Sequence, residues 1–198
     1  MNEKFLELTL DNAEIALDIL INNEIIKEIP ILGNSLKIIQ GIKTMRDRFY
    51  IAKIEKFITN IGNFSETQKE KLLLESKFDS NSKTKFSHAI YNTIEQSDSE
   101  IKIEILAYVF EGFLNNEITR IELRKICHGI NLCFSDLLLD IVEKTHYSTT
   151  EFKEGVNSGF IEERDTSLTY NGNTGINYIH SDIGSKVSHM YKKYKKLN

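Results

Sequence analysis

The sequence predicts a mainly α-helical protein, in which a multi-helix bundle is followed by a small winged-helix-like module with one β-hairpin. Apolar residues recur every three or four positions over most of the chain, and Ser/Thr-x-x-Glu/Gln motifs that start helices occur four times. The 198 residues contain a single proline, Pro30, which favours long helices. We expect residues 1–62 to form long amphipathic helices, residues 63–134 a helical bundle, and residues 135–198 the winged-helix-like module.

The composition is that of an ordinary globular protein. Hydrophobic residues make up 40% of the chain and charged residues 27%, which excludes a disordered or fibrous protein. The 25 basic and 29 acidic side chains give a net charge of -4, so no overall field attracts nucleic acid or an anionic membrane. Two cysteines argue against a disulfide scaffold and for a cytoplasmic protein.

The N-terminal region is apolar but interrupted by charges. Residues 1–10 lack a basic start followed by an apolar run, so we expect no secretory signal. Residues 13–42 contain six charged side chains up to Lys37 as well as Pro30, and therefore predict no integral membrane span. They predict an amphipathic helix that ends before Pro30, because the residue preceding a proline avoids the helical conformation. This helix either packs on the protein's own core or binds a surface or partner.

A longer helix is predicted after Pro30. Apolar residues from Ile38 to Ile61 follow helical spacing, and Gly62 is the predicted end. The polar side of this helix is basic, which is typical either of a solvated face or of a site for an acidic partner or lipid headgroups. The candidate partner-binding residues are Lys43, Arg46, Arg48, Lys53 and Lys56.

Capping boxes mark predicted helix starts in the middle of the chain. In each box, a hydroxyl residue at the start of the helix is followed three residues later by a carboxyl or amide side chain. The four boxes are Ser65 with Gln68, Ser97 with Glu100, Thr119 with Glu122, and Ser148 with Glu151. They predict helices near residues 66–77, 83–95, 98–114, 120–132 and 149–157, with another near 136–145.

The last third of the chain predicts a hairpin and a final helix. Two alternating stretches, residues 167–170 and Ile176–His180, flank an Asn-Gly turn. Ser181 is the predicted N-cap of a helix that ends near Lys195. With Gly159-Phe160-Ile161 before the hairpin, this order of elements resembles a winged helix-turn-helix module.

DNA binding by such a module would require cations against the phosphates. The predicted recognition helix and wing base instead carry mostly carboxylates, among them Glu151, Glu154, Glu162 and Glu163, which disfavours nucleic acid as a partner. For the alternative of a DNA-binding regulator, the binding residues are Lys153, Arg164, Lys192, Lys193, Lys195 and Lys196.

No motif indicates catalysis, a metal or a cofactor. Cys127-His128 and Cys133 lie close together, but a zinc site would need a second pair of ligands at short spacing. We expect both cysteines to be small buried thiols.

Several motifs are similar to those of known proteins. Pro30-Ile31-Leu32-Gly33 leads into Met45-Arg46-Asp47-Arg48-Phe49, and Ile105-Leu106, Phe110 and Ile118-Thr119 with Glu122 follow. This series resembles a group of uncharacterised bacterial and phage proteins over most of residues 30–139, and more loosely the abortive-infection alpha-type proteins. The resemblance implies a role in conflict between bacteria and phages or mobile elements, and it assigns no functional residue.

We therefore predict a non-enzymatic cytoplasmic protein that binds a protein partner, in phage defence or counter-defence. Two alternatives remain: a DNA-binding transcriptional regulator that uses the winged-helix-like module, and a membrane-acting effector that exposes its N-terminal apolar helices. A homo-oligomer is compatible with all three.

Overall fold

The computed structural model describes residues 44–81, 86–144, 153–165 and 176–196. The predicted helix within residues 13–29, the Ser148 box and the stretch 167–170 lie outside these residues. The described elements are eight helices and two strands, namely α1 Met45–Ile61, α2 Glu66–Asn81, α3 Phe86–Gln96, α4 Glu100–Leu114, α5 Arg120–Leu132, α6 Ser135–Glu143, α7 Lys153–Ser158, β1 Ile161–Asp165, β2 Ile176–His180 and α8 Asp182–Tyr194. The predicted fold class is confirmed: the protein is mainly helical, with a small two-stranded antiparallel sheet near the C-terminal end.

Helix α4 is the central element. All six residues from Ile105 to Phe110 are buried, and α1, α3, α5, α6 and α8 each pack against this helix. The Phe110 ring lies 5.7 Å from that of Phe57 in α1 and 6.2 Å from that of Phe113, measured between centroids. A helix that is apolar on all sides is stable in water only when other elements surround it. The apolar character of α4 therefore determines the arrangement of the bundle.

Local capping motifs set several helix boundaries. Helix α1 ends at Gly62, whose φ of 70° is accessible to glycine at little cost. The boxes at Ser65 and Thr119 are confirmed, since each hydroxyl accepts a hydrogen bond from the backbone three residues later and the later side chain accepts one in return. Thr44 and Asp47 form a further box, which starts α1.

The predicted capping box of Ser97 with Glu100 is wrong. Helix α4 begins with Ser99 as its N-cap, and the Ser99 side chain makes no capping hydrogen bond. Ser97 is buried and its hydroxyl donates to the Thr93 carbonyl, 2.6 Å away, at the end of α3. The Ser97 hydroxyl therefore bonds to the end of α3 and does not cap α4.

Helix α8 joins the C-terminal region to the bundle. Its Tyr191 ring meets the Tyr108 ring of α4 edge-on, with centroids 6.0 Å apart. Ser181 is confirmed as the N-cap, since its Oγ accepts from the Gly184 amide at 3.0 Å. The buried residues of α1, α4 and α8 belong to a single apolar cluster, so the three predicted segments share one core.

The antiparallel sheet pairs Ile161 with His180 and Asp165 with Ile176. The second strand has the predicted bounds, whereas β1 occupies a stretch for which no strand was predicted. Ile161 is buried while the next three residues are exposed, so β1 has no alternating apolar pattern. The His180 Nε2 and the Ile141 carbonyl are 2.8 Å apart, which ties β2 to α6. Burial lowers the pKa of His180 and favours its neutral form.

Candidate interaction surface

The predicted basic face of α1 is largely engaged within the protein. Arg46 forms an ion pair with Glu95 at the end of α3, and the Lys53 Nζ donates to the Glu95 carbonyl at 2.8 Å. The Lys56 Nζ lies 3.5 Å from a carboxylate oxygen of Glu100 in α4. Burial lowers the pKa of Lys53, with Glu95 acting in the opposite direction. These three cations therefore hold α1 against α3 and α4.

The two remaining candidates on this face have different positions. Lys43 lies outside the described residues, and Arg48 is half-buried on α1. The structure thus brings three of the five candidates together around the junction of α3 with α4. Their role in partner binding stays a prediction.

The C-terminal lysines predicted for nucleic acid also contact carboxylates. The Lys193 Nζ donates to Glu117 Oε1 at 2.6 Å, and the Lys195 Nζ donates to Glu143 Oε1 at 3.3 Å. The ammonium of Lys195 also lies 4.6 Å from the centroid of the Tyr191 ring. These contacts join the end of α8 to the connection between α4 and α5 and to the end of α6.

The other four residues of that set lie in β1, in α7, in α8 and just beyond α8. Arg164 in β1 lies 3.8 Å from a carboxylate oxygen of its neighbour Glu162. Lys153 is the first residue of α7, Lys192 is half-buried on α8, and Lys196 is exposed beyond the end of α8. The six residues therefore come from three elements, and four of them lie at the end of α8 and just beyond it.

Two glutamates beside the end of α8 have pKa values shifted in opposite directions. Burial would raise the pKa of Glu117, but hydrogen bonds from Lys193 and Tyr194 outweigh it and lower that pKa. Asn115 Nδ2 donates to the Tyr194 hydroxyl at 2.7 Å and completes this network. Burial, reinforced by the Glu117 charge, raises the pKa of Glu111 to about 7. The Glu111 Oε2 is buried and accepts no hydrogen bond from the described residues.

Replacing Glu111 by glutamine is expected to stabilise the protein at pH 8 and to have a much smaller effect on its stability at pH 5. The folded pKa of about 7 lies above the ordinary value of 4.5, so protonation favours the folded state. Stability is therefore lost as the pH rises from 4.5 through 7. Because the side chain is half-exposed, we expect a gain of only about 1 kcal/mol at pH 8. Urea denaturation of the variant and the wild type at both pH values measures this difference in the free energy of unfolding.

Glu55→Gln removes a negative charge from the exposed side of α1 and is the control for this experiment. An equal gain for Glu111→Gln at pH 5 and pH 8 would contradict the assignment, because it would then not depend on ionisation.

A cleft of about 200 Å³ lies between α8 and the connection from α4 to α5. Its apolar lining includes Ile118 and Met190, and its charged lining includes Glu117 and Lys186. Lys186 is ion-paired with Glu122, and Glu117 with Lys193. Both charges of the cleft are therefore neutralised by neighbours, which leaves a small, mainly apolar depression.

A buried lysine joins the starts of α4 and α6. The Lys102 Nζ lies 3.1 Å from Asp98 Oδ1, which also accepts from the Ser135 hydroxyl at 3.1 Å. The hydroxyls of Ser99 and Ser135 are 2.7 Å apart. Burial would raise the pKa of Asp98, but the hydrogen bonds from Lys102 and Ser135 outweigh it and lower that pKa. This network fastens two helix ends together.

The two cysteines are buried, as predicted. Burial raises the pKa of the Cys127 thiol to about 12. Since the thiolate is the reactive form, Cys127 is a packing residue of α5.

Helix α5 carries a surface that the sequence reasoning did not identify. Its exposed residues are Ile121, Arg124, Lys125, His128 and Leu132, which we call the α5 face. Their spacing places them within an arc of about 100° around the helix axis. None of them is acidic, and among the described residues neither Arg124 nor Lys125 has an ion-pair partner. Leu123, Ile126, Cys127 and Ile130 follow helical spacing and are buried on the opposite side of α5. This apolar spacing is the feature of the sequence that could have located the α5 face.

A second exposed surface lies on α2. Leu73, Leu74 and Phe78 are 45%, 56% and 66% exposed, and we call them the α2 patch. The neighbouring Leu72 is fully buried, so the helix packs on one side and presents apolar side chains on the other. Large exposed apolar patches are typical of interaction sites.

Arg120 connects the two surfaces. Its guanidinium lies 5.6 Å from the centroid of the Phe78 ring and 5.3 Å from that of the Phe86 ring. Its Nε donates to Glu75 Oε2 at 2.8 Å. The α2 patch therefore contacts the first residue of α5, which precedes Ile121 in the chain.

Among the helices of the described ranges, none combines the length and the apolar character that crossing a membrane requires. Comparisons with protein-family models, with curated proteins and with solved structures gave no match to this chain.

Proposed function

We propose that the protein is a non-enzymatic interaction protein that binds a protein partner. The observation that carries the proposal is the α2 patch, where three large apolar side chains within six residues are each nearly half-exposed or more. Burial of such side chains in a complex yields about 25 cal/mol for each Å² removed from water. A partner with a complementary apolar surface would therefore gain most of its affinity there.

A role in conflict between bacteria and phages is part of the proposal and rests on the sequence resemblance. Within the described residues, the resembling motifs occupy structural positions. Ile105, Leu106 and Phe110 are buried in α4, and Thr119 with Glu122 forms the capping box of α5. Motifs made of buried and capping residues support a fold shared with the resembling proteins. A function specific to this protein would then depend on its surface residues.

A protein partner is favoured over DNA by the state of the C-terminal cations. Lys193 and Lys195 contact Glu117 and Glu143, and these carboxylates offset the two ammonium charges and would repel a phosphate. Affinity for nucleic acid comes mainly from neutralising phosphate charge. The engaged lysines therefore favour the protein-interaction function.

The proposal is tested by co-purification from phage-infected and uninfected cells, with the wild type and with Leu74→Ser/Phe78→Ser. Each recovered protein is then purified and titrated against the full chain. We expect at least one partner whose affinity falls tenfold or more in the double variant, because both substituted side chains are exposed and would be buried in the complex.

Met45→Ser/Phe134→Ser is the matched control, since it removes two exposed apolar side chains at other places on the bundle. Circular dichroism checks that both variants remain folded. Repeated failure to recover a partner that depends on the α2 patch, from either culture, would overturn the proposal.

A further inference from the structure

We infer that the α5 face binds an acidic amphipathic helix of the protein partner, an inference that rests on the proposed function. It names the partner's chemistry, which the α2 patch alone leaves undefined.

The geometry of the α5 face suits a helix laid along it. Ile121 and Leu132 mark its two ends, and they are 66% and 53% exposed. They are eleven positions apart along the α-helix, which is about 16 Å, or three turns. The exposed side chains of Arg124, Lys125 and His128 stand on the same side of α5 as these two ends. A partner helix of similar length could therefore contact the whole face.

The charge of the α5 face is the opposite of that of the protein. The chain as a whole has a net charge of -4, whereas the exposed residues of α5 include two permanent cations, one histidine and no carboxylate. Cations elsewhere, such as Arg46, Lys56 and Lys193, have carboxylate partners within the protein. Arg124 and Lys125 have none among the described residues, so their charges are available to a partner.

The apolar ends of the face determine the class of partner. A nucleic-acid backbone would neutralise Arg124 and Lys125 but would bury Ile121 and Leu132 against phosphates, with no apolar contact in return. An acidic amphipathic helix offers both components, since it can place carboxylates opposite the two cations and apolar side chains opposite the two ends. The observed order of apolar, basic and apolar residues therefore favours a protein helix.

The α5 face is continuous with the surface that carries the proposed function. Arg120 contacts Phe78 of the α2 patch, and Ile121 is the next residue. A helix lying along α5 would reach the α2 patch at its Ile121 end. One partner could thus bury the α2 patch and neutralise the α5 face at the same time.

The test uses a fluorescein-labelled synthetic helical peptide with Leu and Glu on one side, titrated into the full-length chain by fluorescence anisotropy. We expect Arg124→Glu/Lys125→Glu to weaken binding at least tenfold, and wild-type binding to weaken steeply between 50 and 300 mM salt. Lys144→Glu/Lys195→Glu is the matched control. It changes the net charge equally, at ion-paired lysines just beyond the ends of α6 and α8, and should alter affinity less than twofold.

Three comparisons can overturn the inference. The first is a peptide with Lys in place of Glu, which should not bind. The second is a duplex DNA of 20 base pairs, and tighter binding of this DNA with the same dependence on Arg124 and Lys125 would assign the face to nucleic acid. The third is zero-length carboxyl–amine cross-linking of the peptide-free protein, where a link from Lys125 to the chain's own residues 1–28 would make that segment the occupant.

The outcome also separates this inference from the proposed function. If the native partner or the acidic peptide requires Leu74 and Phe78 but binds the Arg124→Glu/Lys125→Glu variant normally, the inference is wrong and the proposed function stands. If no protein partner depends on either surface, the proposed function fails.

Discussion

Gly184→Ala is expected to destabilise the protein by about 3 kcal/mol, the upper part of the range for overpacking in a close contact. A Cβ at position 184 would collide with the Phe160 carbonyl oxygen and lie 2.8 Å from the carbonyl carbon. Both atoms belong to the backbone, so no side-chain rotation can relieve the collision. The same carbonyl accepts a hydrogen bond from the Ser181 amide at 3.0 Å, which holds it in place. The start of α8 would have to move away from Phe160.

Thermal unfolding followed by circular dichroism measures this effect, and we expect a fall in Tm of about 10 °C. Ser185→Ala is the matched control, because Ser185 is the exposed neighbour in the same helical turn. A Gly184→Ala protein that melts within 2 °C of the wild type would show that α8 does not approach Phe160 this closely.

Phe110→Ala is expected to cost about 3–5 kcal/mol in the free energy of unfolding, as is usual when a buried aromatic ring is removed. Phe110 is fully buried at the centre of α4. Its ring faces those of Phe57 and Phe64, with centroids 5.7 and 6.4 Å away, so its loss would leave a cavity between α1 and α4. The smaller alanine cannot fill that space.

Phe134→Ala is the control, since this phenylalanine is 67% exposed and its removal should change the unfolding free energy by less than about 0.5 kcal/mol. Urea denaturation of both variants provides the comparison. A similar cost for the two substitutions would contradict the central position of Phe110.

Much of the helical architecture could be predicted because helical spacing is a local property of the sequence. The predicted bounds of α5, residues 120–132, are those of the structure, and the predicted C-cap Gly62 is present. Local patterns failed where a side chain had two possible uses. Ser97 matches the capping motif, but its hydroxyl bonds to the end of α3 instead.

Strand β1 was missed for a different physical reason. A strand is recognised by alternation of apolar and polar residues, which arises when one side of a sheet is buried. Glu162, Glu163 and Arg164 are all exposed, whereas Ile161 at the start of the strand is buried. The pairing of β1 with β2 is therefore set by the backbone and the fold, and the side chains of β1 carry little signal.

The candidate site could be predicted only in part. Sequence reasoning located the basic helix α1, but the partner that engages Lys53 is Glu95, 42 residues further along the chain. The partner of Lys193 is Glu117, 76 residues earlier. Whether a cation remains available to a partner depends on such distant contacts. The α5 face could be located from the sequence as the side opposite the apolar residues of α5. That Arg124 and Lys125 have no ion-pair partner among the described residues is evident only in the folded protein.

The position of α8 against α4 has a consequence for synthesis on the ribosome. Asn115 at the end of α4 and its hydrogen-bond partner Tyr194 are 79 residues apart in the chain. At about 5–20 residues per second, the side of α4 that α8 covers would stay open for roughly 4–16 seconds after α4 itself has been made. During that interval the nascent bundle exposes Tyr108 and its apolar neighbours, and exposed apolar surface of this kind makes an unfinished chain prone to aggregation.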